Sequence, residues 1–401
     1  GLAYPLSATL SLIGAEGVFL LYSRSQTEGQ RLLTCIPAML LCYWCFGYGA
    51  WLCLALMLAA GIIAHHQKLS ALLAAGILLL PATQYPATTW WSKPDLDREY
   101  VLSLDVEHYF GNIQKMRKHL ETDRQILWVT YYRNLYNATH PSEINSPVSL
   151  SRNLLAWNQP GTNGLILPVN PSASFLSILF ANELWFTLGD MTMAEHCAML
   201  SMIFSPRNSG SRMIKRLAEI NLVNGDDEAA LKYLRILDKT LLHKSWAEKR
   251  IPGQQTPRVK EWLEKKRRDI PTQDHLRSGN DAVTSLRNLV ASNAGNLRAY
   301  EYLLCYHLLS KDLRSFVEDY VPGKVSSSIF AEALLIHLAR QGNIRAEELI
   351  KYQIPVKIAK EFADYTRLYE AKDTSLKEKY GKTYWFYYHF ATTEPGKESK
   401  P

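Results

Sequence analysis

The 401-residue chain carries 45 Lys and Arg against 38 Asp and Glu, a net charge of +7 at pH 7. That excess is spread thinly, with one dense run at 265–268, which excludes the basic stripe of a nucleic-acid binder. Of six cysteines, four lie within the first 53 residues and two far apart later, which excludes a disulfide-built secreted domain.

Residues 1–92 hold only five charged side chains, Glu16, Arg24, Glu28, Arg31 and Lys68, and residues 32–64 hold none across 33 positions. A charge at the centre of a membrane helix costs about 2.5–3.5 kcal/mol or more, so this run predicts contact with the lipid bilayer. Four short spans are expected, at 5–22, 32–48, 50–64 and 69–85. Each covers about 22–27 Å against a hydrocarbon core of roughly 30 Å. Gly47-Tyr48-Gly49 divides the long run, since a single helix over 32–64 would be about 50 Å long; a re-entrant hairpin is the alternative. Arg24 and Arg31 bracket the first connector, and His65-His66-Gln67-Lys68 forms the third. Under the positive-inside rule both stay cytoplasmic, so everything after residue 85 faces the other side. Trp90-Trp91 and Lys93 mark the outer interface. The chain begins at Gly1, and further spans or a signal sequence are expected upstream of it.

Two features of this region invite chemistry. Glu16 lies inside the first span, where a carboxylate serves an ion or proton path, or else snorkels or faces a partner helix. Cys42-Tyr43-Trp44-Cys45 places a C-x-x-C near the outer end of a span. The arrangement resembles membrane thiol oxidases that pass electrons to quinone. Those need a second cysteine pair outside the membrane, whereas Cys197 and Cys305 are isolated. Cys42 and Cys45 otherwise read as apolar packing residues.

From residue 93 to 390 the apolar residues recur at helical spacing, predicting an all-α domain. Two segments repeat one design: an apolar helix, a Gly-Asp turn, and a second helix with alanine five positions after the glycine. They are Gly189-Asp190 with Ala194 and Gly225-Asp226 with Ala230. Glycine suits the left-handed C-cap, aspartate caps the next helix, and alanine allows close approach. The glycines are 36 residues apart, near the roughly 34-residue period of tetratricopeptide repeats. Weaker echoes stand at Phe110-Gly111-Asn112, at Lys311 before Phe316, and at Gly342-Asn343. The expected fold is an N-terminal bundle of about four transmembrane helices followed by an irregular tetratricopeptide-like α-solenoid.

Residues 142–171, rich in Asn, Ser, Pro and Gly, read as a long loop. Residues 251–280 are polar, with one short helix expected over 259–268. Its run Lys265-Lys266-Arg267-Arg268 is either a solvated helix face or a docking site for an acidic partner or lipid headgroup. The aromatic stretch 384–390 is expected to close the last helix pair, and residues 391–401 form a tail. The histidines show no zinc-ligand spacing and no phosphate-binding or nucleophile motif occurs, so no metal or cofactor is expected. Asn137-Ala138-Thr139 fits a glycosylation acceptor, which matters only in a eukaryotic secretory route.

The stretches 215–225, 232–237 and 299–304 resemble an uncharacterised family of bacterial membrane proteins with several N-terminal spans and a C-terminal tetratricopeptide-like region. The likeness covers most of 97–390. It implies the bacterial inner membrane, with the C-terminal domain in the periplasm, and no catalytic residues to carry over. The resulting expectation is a non-enzymatic membrane scaffold whose extracytoplasmic helices bind a protein or peptide partner. The alternatives are a thiol-redox protein using Cys42 and Cys45, or a transporter or sensor subunit using Glu16.

Overall fold

The computed structural model describes residues 96–121, 126–140, 150–169, 175–204, 210–272 and 281–392. Every regular element among them is helical. In order they are α1 (Leu96–Tyr109), α2 (Ile113–Leu120), α3 (Leu127–Thr139), a 3-10 turn (Ser151–Asn153), α4 (Leu154–Trp157), α5 (Phe175–Leu188) and α6 (Met191–Phe204). There follow α7 (Ser211–Asn224), α8 (Asp227–Asp238), α9 (Lys244–Glu248), α10 (Pro257–Arg267), α11 (Ala282–Ser292) and α12 (Leu297–Leu309). The last are α13 (Leu313–Asp319), α14 (Ser328–Arg340), α15 (Ala346–Lys351), α16 (Val356–Glu370), α17 (Leu376–Tyr380) and α18 (Tyr384–Phe390).

The chain divides into two compact units, residues 1–112 and 113–401. The four expected spans lie outside the described residues, as do Glu16, Cys42, Cys45, the expected boundary at residue 92 and the tail from 393. No helix among the described residues is long and apolar enough to cross a membrane.

In the second unit the helices pack mainly on their sequence neighbours: α5 on α6, α6 on α7, α7 on α8, α8 on α9, and then α11 on α12, α12 on α13, α13 on α14. The α8 helix shows why. Its Ala230, Leu234 and Leu237 are buried at i, i+4 and i+7, one face of a 3.6-residue period. That face meets Ala218 of α7 and Ala247 of α9, while Met213 and Leu217 of α7 meet Ala198 of α6. The α14 helix is buried nearly all round and packs on α13, α16 and α18.

One turn joins most of the pairs. At Gly225, φ is +81°; its N–H reaches the Leu222 carbonyl, and the Asp226 N–H reaches back to Asn221. This is the double bond of a Schellman C-cap, after which the Asp226 carboxylate caps α8 at the Ala229 N–H (2.9 Å). The same six-residue return occurs at Asn112, Asp190, Asp312, Asn343, Ile354 and Asp373. The residue before each has positive φ: Gly111, Gly189, Lys311, Gly342, Gln353 and Lys372. Ala194 and Ala230, each five positions after its glycine, are fully buried. After Lys311 that place belongs to the large, buried Phe316, so the small-residue contact does not extend to the α12–α13 turn.

Residues 150–169, expected as part of a loop, hold the 3-10 turn and α4, and several of their apolar side chains are packed inside. Leu150, Leu154, Leu165 and Leu167 are buried. Asn134 ties the segment to α3 through its Nδ2, bonded to Asn158 Oδ1 (2.9 Å) and the Gly164 carbonyl (2.8 Å). The buried Glu301 on α12 accepts from the Ser151 N–H (2.8 Å) and hydroxyl (2.7 Å). Composition announces turns, and here tertiary hydrogen bonds bury them.

Candidate functional site

The ends of three helices are held by side chains from α10, α12 and the residue preceding α12. Arg298 donates to the carbonyls of Ala138 on α3 (3.2 Å) and Thr187 on α5 (3.0 Å). Asn296 Nδ2 donates to Leu188 (2.7 Å). Arg267 donates to Leu222 (2.8 Å) and Val223 (3.1 Å) of α7. Helix C-termini carry unpaired carbonyls and partial negative charge, so these cations are placed by ordinary helix physics.

Lys266, next to Arg267, does something else. Its ammonium lies 4.6 Å from the centre of the Phe186 ring, and it makes no ion pair among the described residues. The guanidinium of Arg216 lies 3.8 Å from the same ring, which also stacks on Trp262 at 6.2 Å. Burial, with Arg216 and Arg298 nearby, pushes the Lys266 ammonium down to about 8. Such a lysine is proton-poor by lysine standards because its charge is desolvated and faces like charges.

The buried Glu183 on α5 answers part of this charge. It accepts from Arg212 (2.8 Å) and Arg216 (2.6 Å), and Arg216 also pairs with Glu219 (3.2 Å). Arg298 pairs with Asp269 (3.2 Å). Arg212, Arg216, Lys266 and Arg298 thus outnumber Glu183, Glu219 and Asp269 by one. The Arg216 Nε is buried without a hydrogen-bond acceptor among the described residues. A carboxylate or other anion reaching Lys266 would balance the excess positive charge and hold the lysine's proton more tightly.

The run expected as one feature is therefore divided. Lys265 and Arg268 are exposed, Lys266 is half-buried, and Arg267 is a helix cap. Gly189 brings the run to Phe186: a Cβ there would lie 2.2 Å from the Asp269 carbonyl oxygen, so the turn after α5 presses directly on the chain leaving α10. An added Cβ at Gly225 would meet nothing within 4 Å. Sequence reasoning missed Glu183, Phe186, Arg212, Arg216, Trp262, Asp269 and Arg298. Two signals for them exist: Glu183 as the one charge in the apolar helix 175–188, and Arg212 with Arg216 at i, i+4.

The two cysteines of the described region, Cys197 and Cys305, are buried and form no disulfide. Burial pushes the Cys305 thiol up, away from the thiolate that redox chemistry needs. No cluster of His, Cys, Asp and Glu among the described residues could hold a metal.

A model of a family of unknown function, DUF6057, matches residues 69–391. The chain belongs to that family. The DUF6057 match starts where the fourth expected span starts and includes every residue of the Lys266 cluster. No curated protein and no solved structure matches the chain.

Proposed function

We propose that this protein is a multispan bacterial inner-membrane scaffold. In this reading its helical domain, an irregular tetratricopeptide-like α-solenoid, lies in the periplasm and binds an acidic segment of a protein or peptide partner. The single observation that carries the binding reading is the Lys266 cluster, a half-buried ammonium on an aromatic ring, with one more cation than carboxylates around it and no ion pair of its own among the described residues. The charge-poor residues 1–92 support the anchor, and sequential helix packing with a recurring turn supports the solenoid.

Two tests address the two halves. A reporter active only outside the cytoplasm should be active when fused after Trp91 or at the C-terminus, and silent between Arg24 and Arg31; the reverse pattern inverts the anchor. For binding, a photo-crosslinking amino acid at position 265 in the full chain, in native membranes, should yield one adduct that is lost in Lys266→Glu. The same label at the exposed position 377 on α17 should not yield it. Equal adducts at both positions, or an adduct insensitive to Lys266→Glu, would remove the binding reading.

A further inference from the structure

Between α8 and α9 the chain turns through residues 239–243 and leaves two adjacent leucines uncovered. Leu241 is 96% exposed and Leu242 84%. Single exposed apolar residues are ordinary on a protein surface, but here two stand together at the tip of a fixed turn. Thr240 fixes it: its N–H and hydroxyl both reach the Leu237 carbonyl (2.9 and 2.7 Å). Its hydroxyl also accepts from the His243 N–H (3.2 Å), and its carbonyl accepts from the Lys244 N–H (3.2 Å). These bonds hold the leucines outward, where a slack loop would fold them back. The last turn of α8 adds Ile236, 49% exposed.

The surroundings are basic. Lys232, Arg235, Lys239, Lys244 and Lys249 are exposed, and residues 232–250 contain only two acids, Asp238 and Glu248. Glu248 meets Lys244 at 3.9 Å in a solvent-exposed pair, which neutralises little. Just behind the tip, Trp246 has Lys215 at 5.1 Å and Arg250 at 4.0 Å from its ring. Protruding leucines, a tryptophan behind them and lysines around them match the layers of a bilayer surface: acyl boundary, interface and phosphate. A protein partner would have to offer a pocket for each leucine inside an acidic rim, whereas anionic phospholipid offers both without shaping.

We propose that the turn at 239–243 docks into an anionic phospholipid surface, Leu241 and Leu242 entering the acyl boundary while Lys239, Lys244 and Lys249 meet headgroup phosphates. The inference leans on the anchor proposed above only for nearness to a bilayer. The experiment reconstitutes the full chain in vesicles of phosphatidylcholine and phosphatidylglycerol with brominated acyl chains, carrying an environment-sensitive fluorescent amino acid at position 242. Emission should shift to the blue and be quenched. The effect should be lost in pure phosphatidylcholine and in the Lys239→Glu, Lys244→Glu variant, and should weaken as salt screens the headgroups. The same probe at position 377 should not respond. A probe at position 54 reads the anchor separately. Quenching at 54 with none at 242 overturns the docking turn and leaves the anchor standing; quenching at neither overturns both. Equal quenching in neutral and anionic vesicles overturns the headgroup assignment. A blue shift at 242 in detergent without lipid shows that protein covers the leucines and overturns the proposal.

Discussion

Lys266 and Glu332 are each held in an environment that disfavours their charge, and each has a pH signature of definite sign. Lys266 gives up its proton at about 8, against 10.5 ordinarily. Between those values the unfolded chain binds more protons than the folded one, so folding stability rises with pH across that window. Lys266→Met should abolish this rise, a difference of about 1–3 kcal/mol, read by chemical denaturation of both proteins at pH ~7.5, below the window, and pH ~10, near its upper end. Glu332 runs the other way. Burial, with Glu361 adding to it, pushes its carboxyl up to about 7 from 4.5. Here the folded state holds the extra proton, so stability falls as pH rises from 4.5 to about 7. Glu332→Gln keeps a carbonyl oxygen for the Tyr384 N–H now bonded at 2.6 Å. It should be more stable than wild type by about 1–3 kcal/mol above pH 7 and equal to it at the acid end. Equal melting of the two proteins at all pH values would show that Glu332 ionises freely.

At the scale of elements, the two glycines of the repeated design separate two costs. Both sit at positive φ, +91° for Gly189 and +81° for Gly225, and an alanine there is strained by about 1–2 kcal/mol. Gly225→Ala should lose only that, because its surroundings are open. Gly189→Ala should lose about 3 kcal/mol or more, because its Cβ would strike the Asp269 backbone, and it should displace Lys266 from Phe186 as well. Near-equal losses in denaturation would contradict the close approach. These turns were legible because glycine followed by aspartate is the chemistry such a cap requires. The turns at Gln353 and Lys372 were not, since a side chain forced to φ +54° or +53° carries no mark in the sequence. The basic run was legible as charge but not as function. Successive residues on a helix point about 100° apart, and which of four cations becomes a cap, a rim or a half-buried ammonium is decided by Phe186 and α7, distant in the chain.

At the scale of the whole second unit, the C-terminal helix closes the structure rather than decorating it. The Tyr384 hydroxyl donates to the Leu308 carbonyl (2.9 Å) and the Tyr387 hydroxyl to Leu309 (2.7 Å), so α18 supplies the donors that the end of α12 lacks. In return, the Lys311 ammonium bonds the carbonyls of Tyr388 and Ala391 behind α18. Trp385, almost fully buried, donates from its indole to the Glu332 carbonyl (3.0 Å). Single losses are modest: Tyr384→Phe removes one of the bonds on the Leu308 carbonyl, which keeps the Lys311 N–H at 3.1 Å, and should cost about 0.5–1.5 kcal/mol. Ending the chain at Thr383 removes all of these bonds and the aromatic area together. The α5–α8 helices pack mainly among α5 to α10, with hydrogen bonds from α3 and the start of α12 besides, so most of their packing forms without α18. Limited proteolysis of full and shortened chains in membranes should therefore show new cleavage confined to α12–α17, with α5–α8 protected to the same degree in both. Cleavage appearing equally in α5–α8 would mean that the second unit folds as one cooperative block, whereas unchanged protection throughout would show that α18 closes nothing.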